Sequence, residues 1–196
     1  MDMNGMRIGF ALTGSFCNLH VAFKMIEEMK KNGADITAII SYNVDTLDTR
    51  HYKAIQVRDT LERITGKPIV REITEAEPIG QKSEFDILMV CPTTSNTLAK
   101  LANGITDTPV LMSIRSQLGS KKPVVIGVAT NDGLGNNARN LGYLMAMENV
   151  FFIPFYQDDP IKREMSLLFS RDMAIETIDA ALNKRQLQPV ILGPGA

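Results

Sequence analysis

The chain has 196 residues, 44% of them hydrophobic and 22% charged, with a net charge of −1, which is enough for one large soluble domain with a substantial core. Near-neutrality leaves no basic footprint for nucleic acid, and no apolar run reaches the ~18 residues of a membrane span. The polar residues 1–5 make no secretory apolar segment, and the two distant cysteines, Cys17 and Cys91, match neither a metal-ligand nor a redox spacing, so a reduced, cytoplasmic protein without a metal site is expected.

In chain order, residues 7–12 (RIGFAL) form a short apolar run that ends in Thr13-Gly14-Ser15 and predicts a strand. Val21, Met25, Ile26 and Met29 then share one helical face. Lys30 and Lys31 suit its last turn, and Gly33 its stop. Residues 36–40 (ITAII) predict a strand ending at Ser41, residues 42–52 a polar loop, residues 57–64 a helix ended by Gly66 and Pro68, and residues 69–73 a short strand. Residues 86–90 (DILMV) predict a strand leading into Cys91-Pro92, followed by helices over 95–103 and 108–117. Residues 124–129 predict a strand, 136–147 a helix after the Gly-rich 133–135, 150–155 a last strand, and 171–184 a C-terminal helix. Residues 1–5 and 186–196 read as loose tails of one domain spanning 1–196.

Strands that are apolar throughout belong to a sheet covered on both faces, and their alternation with helices makes it parallel. The expected fold is a three-layer α/β, Rossmann-like, doubly wound parallel sheet. Ligands of such sheets bind beyond the carboxyl ends of the strands. The residues there are Gly14, Ser15 and Phe16 after the first strand, Ser41 after the second, Pro92, Thr93, Thr94, Ser95, Asn96 and Thr97 after the third, and Asn131 after the fourth. Small hydroxyl and amide residues before a helix let backbone N–H groups and the positive end of the helix dipole approach a phosphate. Taken singly, Ser15, Thr94 and Ser95 read better as helix N-caps. Their recurrence after separate buried strands favours a phosphate site.

The stretch 90–107 (VCPTTSNTLAKLANGITD) resembles the Pro-Ala-Ser-Ala-Asn-Thr segment of flavin-dependent cysteine decarboxylases, and Thr13-Gly14-Ser15 fits the same flavoprotein superfamily. Within it, residues 75–80 (EAEPIG), 98–107 and 130–141 (TNDGLGNNARNL) are similar to the B-subunit family of dipicolinate synthase. That resemblance implies a flavodoxin/flavoprotein-type fold, a site for FMN or another phosphorylated ligand, and homo-oligomers. It also implies a part in making pyridine-2,6-dicarboxylate during sporulation, with an A subunit as partner that carries the nicotinamide dinucleotide NAD(P). Two features depart from the decarboxylases: Pro78 stands where they carry a catalytic histidine, and there is no tryptophan to complete their Pro-x-Met-Asn-x-x-Met-Trp segment. The alternatives are a stand-alone flavin-dependent decarboxylase or flavin-modifying enzyme, and a non-catalytic partner subunit.

Gly133-Leu134-Gly135-Asn136-Asn137-Ala138 also fits the dinucleotide pattern G-x-G-x-x-A, with Asp158 and Asp159 about twenty residues on. The late position of this motif and Pro154 and Pro160 beyond it argue instead for a flexible loop over the cleft, with Asn136, Asn137 and Arg139 near the ligand. For a dicarboxylate, Arg115 and Arg139 are the candidate cations, because a guanidinium pairs both carboxylate oxygens. Lys100 reads as a surface residue, and no catalytic base stands out.

Overall fold

The computed structural model describes residues 1–193. Strands β1 (Arg7–Leu12), β2 (Asp35–Ile40), β3 (Ile87–Thr93) and β4 (Val124–Thr130) run parallel in the order β2-β1-β3-β4, and β5 (Val150–Phe152) continues the parallel sheet beside the first half of β4. Two further strands, β6 (Phe155–Tyr156) and β7 (Leu167–Phe169), form an antiparallel pair, and β7 also lies against Ala129 and Thr130 at the end of β4.

Two apolar clusters cover the sheet. One joins Phe10, Leu12 and Ile36 to α1 (Leu19–Lys31), to α3 (Ala54–Thr65) through Val57 and Leu61, and to α8 (Ala174–Leu182) through Ile178 and Ala181. The other joins Leu88, Val90 and Ile126 to α5 (Ser95–Ala102), α6 (Pro109–Gly119) and α7 (Ala138–Met145) through Leu98, Val110, Ile114, Leu141 and Leu144. Residues 7–12 and 87–93 alternate between the two clusters, which explains strands without a polar face. Each large side chain so buried contributes roughly 1.5–3 kcal/mol.

Several local expectations are corrected. Residues 42–52 are not all loop: α2 (Tyr42–Thr46) forms a single turn whose Val44 and Asp45 are buried, too short for periodicity to reveal. Residues 69–73 make only a bridge between Val70 and Ile39, since α4 (Ile73–Ala76) begins at once. The strand over 150–155 stops at Phe152 and resumes as β6, because Pro154 has no N–H to give the ladder. It is not the last strand: β7, three residues long, gives too weak a pattern to read. Helix α7 is shorter than predicted, because residues 131–137 form turns.

The tails are not loose where described. Met3 is buried and its N–H donates to the Asn32 carbonyl. Gln186 bonds both the N–H and the carbonyl of Phe152, each at 2.7 Å. The Phe155 N–H donates to Val190, and the Leu192 N–H to Phe155. The remainder of the predicted tail, residues 194–196, lies outside the described residues. Among those described, no helix is long and apolar enough to cross a membrane.

Candidate functional site

The sheet order places β1 beside β3 while their following helices, α1 and α5, pack on opposite faces. A crevice therefore opens beyond the carboxyl ends of these two strands, at the topological switch point. Thr13 stitches its floor. The Thr13 N–H and hydroxyl both donate to the Pro92 carbonyl, at 3.3 and 2.8 Å, and the hydroxyl oxygen accepts the Thr94 N–H at 3.0 Å. Thr94 caps α5, accepting the Thr97 N–H at 3.4 Å, and its hydroxyl bonds that of Thr97 at 3.1 Å. Thr108 caps α6 in the same way, at 3.2 Å from the Leu111 N–H.

The resulting cleft holds about 310 Å³ and is lined by Thr13, Gly14, Ser41, Tyr42, Asn43, Thr94, Asn96, Thr97, Lys100, Asp107, Thr108 and Leu111. That volume is at the lower end for small-molecule sites. Larger hollows exist, one of about 580 Å³ lined by Lys121, Met147, Asn149 and Val150. That hollow sits at the amino ends of β4 and β5, the wrong end of a parallel sheet for a ligand. Two features of the smaller cleft suit a polar ligand. The Ser41 hydroxyl oxygen is buried without a hydrogen-bond partner, a costly state that a ligand oxygen would relieve. Gly14 has ordinary backbone angles, and a Cβ there would meet only the Phe16 ring, at 3.5 Å, and Asn43. Protein packing does not demand a glycine at 14, whereas close approach of a ligand to its backbone would.

The charges are arranged around this cleft. Lys100 Nζ lies 2.5 Å from Asp107 Oδ2 on its wall. Behind Ser41, the buried Asp45 carboxylate takes both Nε and Nη2 of Arg71, at 2.8 and 2.9 Å, and Nη1 of Arg58 at 3.3 Å. Arg58 also donates to the Asp45 carbonyl. The hydrogen bond to Asp45 raises the Arg71 pKa further. This cluster ties α2, α3 and the segment before α4 together and so positions Ser41. Farther off, burial pushes the Asp86 carboxyl up, but hydrogen bonds from the Arg7 side chain and backbone, with its charge, outweigh this and hold it below its ordinary value. Complete burial pushes the Cys91 thiol well up, which keeps it protonated and unreactive.

Of the residues singled out from sequence, Gly14, Ser41, Thr94, Asn96 and Thr97 line the cleft together. Ser15, Phe16, Pro92, Thr93 and Ser95 flank it. Ser15 Oγ accepts from Asn18 at 2.9 Å, the Pro92 carbonyl holds Thr13, and the buried Thr93 hydroxyl donates to Val90 at 2.6 Å. Asn131 is exposed and accepts from the Ser166 hydroxyl at 3.4 Å.

The cations are not where they were sought. Arg115 lines a separate hollow with Glu77, Gly80 and Met112. Arg139 is exposed on α7 and outside the cleft lining, whereas Lys100 lines the cleft and is no mere surface residue. Asp107, Thr108 and the Asp45 cluster were missed and Lys100 was misplaced: Asp45 meets Arg58 and Arg71 only when α3 and the segment before α4 fold back, and the packing of α5 and α6 decides that Lys100, Asp107 and Thr108 face the cleft.

The G-x-G-x-x-A loop closes on itself. Asp132 accepts the Asn136 N–H at 3.0 Å and the Asn137 amide at 3.0 Å, and Asn140 donates to Asn137 at 2.9 Å. A Cβ at Gly135 would lie 2.2 Å from Asp132 Oδ1, and one at Gly133 would lie 2.6 Å from Leu167. These glycines serve packing against the chain itself, and a carboxylate already sits where a diphosphate would bind. The loop leans on β7 through Gly133 against Leu167, the Leu134 N–H donates to the Met165 carbonyl just before that strand, and Asn136 and Asn137 do not line the cleft.

Comparison with known proteins agrees with this geometry. The model of the Flavoprotein family matches residues 1–183. The dipicolinate synthase B subunit of Bacillus subtilis (strain 168) is 41% identical over 191 residues, covering 97% of this chain and 96% of that protein. The crystal structure of the corresponding B subunit from Bacillus halodurans C superposes with a TM-score of 0.90 at 40% identity, over 98% of this chain and 99% of that one. The FMN-dependent cysteine decarboxylase SpaF shares the fold, with a TM-score of 0.66 at 20% identity over 91% of this chain and 96% of its own. With a crevice at the β1/β3 switch point and likeness to dipicolinate synthase B subunits along nearly its whole length, the chain belongs to the Flavoprotein family.

Proposed function

We propose that this chain is the B subunit of a dipicolinate synthase. In this reading it holds FMN in the β1/β3 crevice and helps convert a dihydro- or tetrahydrodipicolinate precursor to pyridine-2,6-dicarboxylate during sporulation, in the bacterial cytoplasm. The observation that carries the cofactor assignment is the Ser41 hydroxyl, buried in the cleft without a partner. A phosphate oxygen accepting from it would satisfy it, beside the bare backbone of Gly14 and the N-terminus of α5 with Asn96 and Thr97. Bound flavin supplies an acceptor for two electrons. The chain's own residues would orient the phosphorylated ligand, with Thr13 locking the ends of β1 and β3 so that the loops keep their spacing.

An A subunit that carries NAD(P) and a homo-oligomeric assembly complete the reading. Exposed Tyr143, Met145, Ile161 and Met165 offer apolar area for such contacts. The decarboxylase alternative is less well supported. Pro78, at the position of the decarboxylases' histidine, lies in a 3-10 turn (Glu77–Ile79) packed on α6, and no histidine lines the cleft.

The test is the visible absorption spectrum of the purified chain after mixing with FMN and exhaustive dialysis. The two visible bands of oxidised flavin should stay with the protein, and dipicolinate should form only after an A subunit and its nicotinamide are added. Complete loss of the chromophore on dialysis would sink the flavin assignment. Dipicolinate formation by this chain alone would sink the two-subunit reading.

A further inference from the structure

A dicarboxylate ligand needs a cation in its site. Neither Arg115 nor Arg139 lines the cleft, and the cation that does is Lys100, on α5 one turn beyond Thr97. Its ammonium is not idle: Asp107, from the connection between α5 and α6, places Oδ2 2.5 Å from Nζ, and both residues face the same cleft. The lysine side chain is 27% exposed and the aspartate 51%, so the cation is the better held partner and the carboxylate the freer one. An ion pair that exposed contributes little, and exchanging one carboxylate for another on the same ammonium keeps its charge neutralised.

We infer that Lys100 binds a carboxylate of the substrate, and that Asp107 is an internal carboxylate that occupies the ammonium until the ligand's carboxylate replaces it. The inference rests on the dicarboxylate reading of the site and names the residue that recognises a carboxylate there. Lysine suits the exchange because a compact ammonium with three donors imposes no fixed fork geometry on its partner. The partner carboxylate also lowers the cost of keeping a cation in a partly desolvated wall when no substrate is present.

The test is calorimetric titration of the chain, saturated with FMN, with pyridine-2,6-dicarboxylate and with its uncharged analogue pyridine-2,6-dicarboxamide. Wild type should prefer the diacid. Lys100→Met should bind it roughly tenfold or more weakly, as expected for a lost charge-assisted hydrogen bond, and should treat diacid and diamide alike, while Lys100→Arg keeps the preference. Asp107→Asn, which removes the competing carboxylate, should bind the diacid several-fold more tightly, a gain that a damaged fold cannot imitate. Undiminished diacid binding by Lys100→Met, or weaker binding by Asp107→Asn, would overturn the inference and leave the dicarboxylate reading standing. Absence of diacid binding in both wild type and Asp107→Asn would overturn that reading and the inference with it.

Discussion

At the scale of the residue, Ser41 shows how position and surroundings combine. Any residue after a buried parallel strand is a candidate for ligand contact, and Ser41 was legible on that ground alone. Its buried hydroxyl without a partner could not be read from sequence. The prediction for Ser41→Ala has two parts with opposite signs. Removing an unsatisfied buried hydroxyl should leave the FMN-free chain as stable as wild type or slightly more so, measured by urea unfolding. FMN affinity should fall roughly tenfold or more, since a hydrogen bond to a charged phosphate contributes about 1.5–3 kcal/mol, measured by dialysis and absorbance. A parallel loss of both stability and affinity would mean that the hydroxyl is structural.

At the scale of the element, α2 owes its place to Asp45. A five-residue helix cannot stand alone, and this one is anchored by a buried carboxylate gripped by Arg71 and Arg58. Asp45→Ala would leave two guanidinium groups crowded together without their anion. Loss of one partner from a fully buried pair costs about 3–5 kcal/mol. The arginine side chains are 46% and 24% exposed, so water will share the charge and about 1–3 kcal/mol is expected. Chemical denaturation should show that loss, and FMN binding should weaken with it because Ser41 sits at the N-cap of α2. Unchanged FMN affinity would show that the cluster does not position the cleft. The longer elements were readable because repetition signals them: five side chains of α1, from Leu19 to Met29, are buried at helical spacing. Short elements such as α2, β6 and β7 exist only through partners distant in sequence.

At the scale of the whole molecule, stability depends on links between segments far apart in the chain. Arg7, at the start of β1, donates through its backbone N–H and its side chain to Asp86, just before β3, across 79 positions of sequence. The Asp86 pKa is depressed below 3.8 on folding. Its contribution is therefore fully present above the unfolded value and is lost as pH falls through the folded one. Asp86→Asn should unfold at lower temperature than wild type at neutral pH, and the gap should close below the ordinary carboxylate range. A melting-temperature difference that persists unchanged into acid would show that the charge is not what Asp86 contributes.

The sequence by itself determined the class of fold, the main strands and helices, and the loops where a ligand belongs. Apolar runs, helical spacing and helix-stopping glycines act over a few residues, and their physics is complete within that span. Only the tertiary structure decided which of those loops meet. The order β2-β1-β3-β4 brings Gly14, Ser41, Thr94 and Thr108 to one crevice, and the pairing of β4 with β7 sets the G-x-G-x-x-A loop against Leu167. The packing of α5 and α6 on the sheet turns Lys100 and Asp107 toward that crevice and leaves Arg115 in a separate hollow. Strand order and helix return are set by the burial of whole apolar faces, a sum over the molecule that no short stretch of sequence carries.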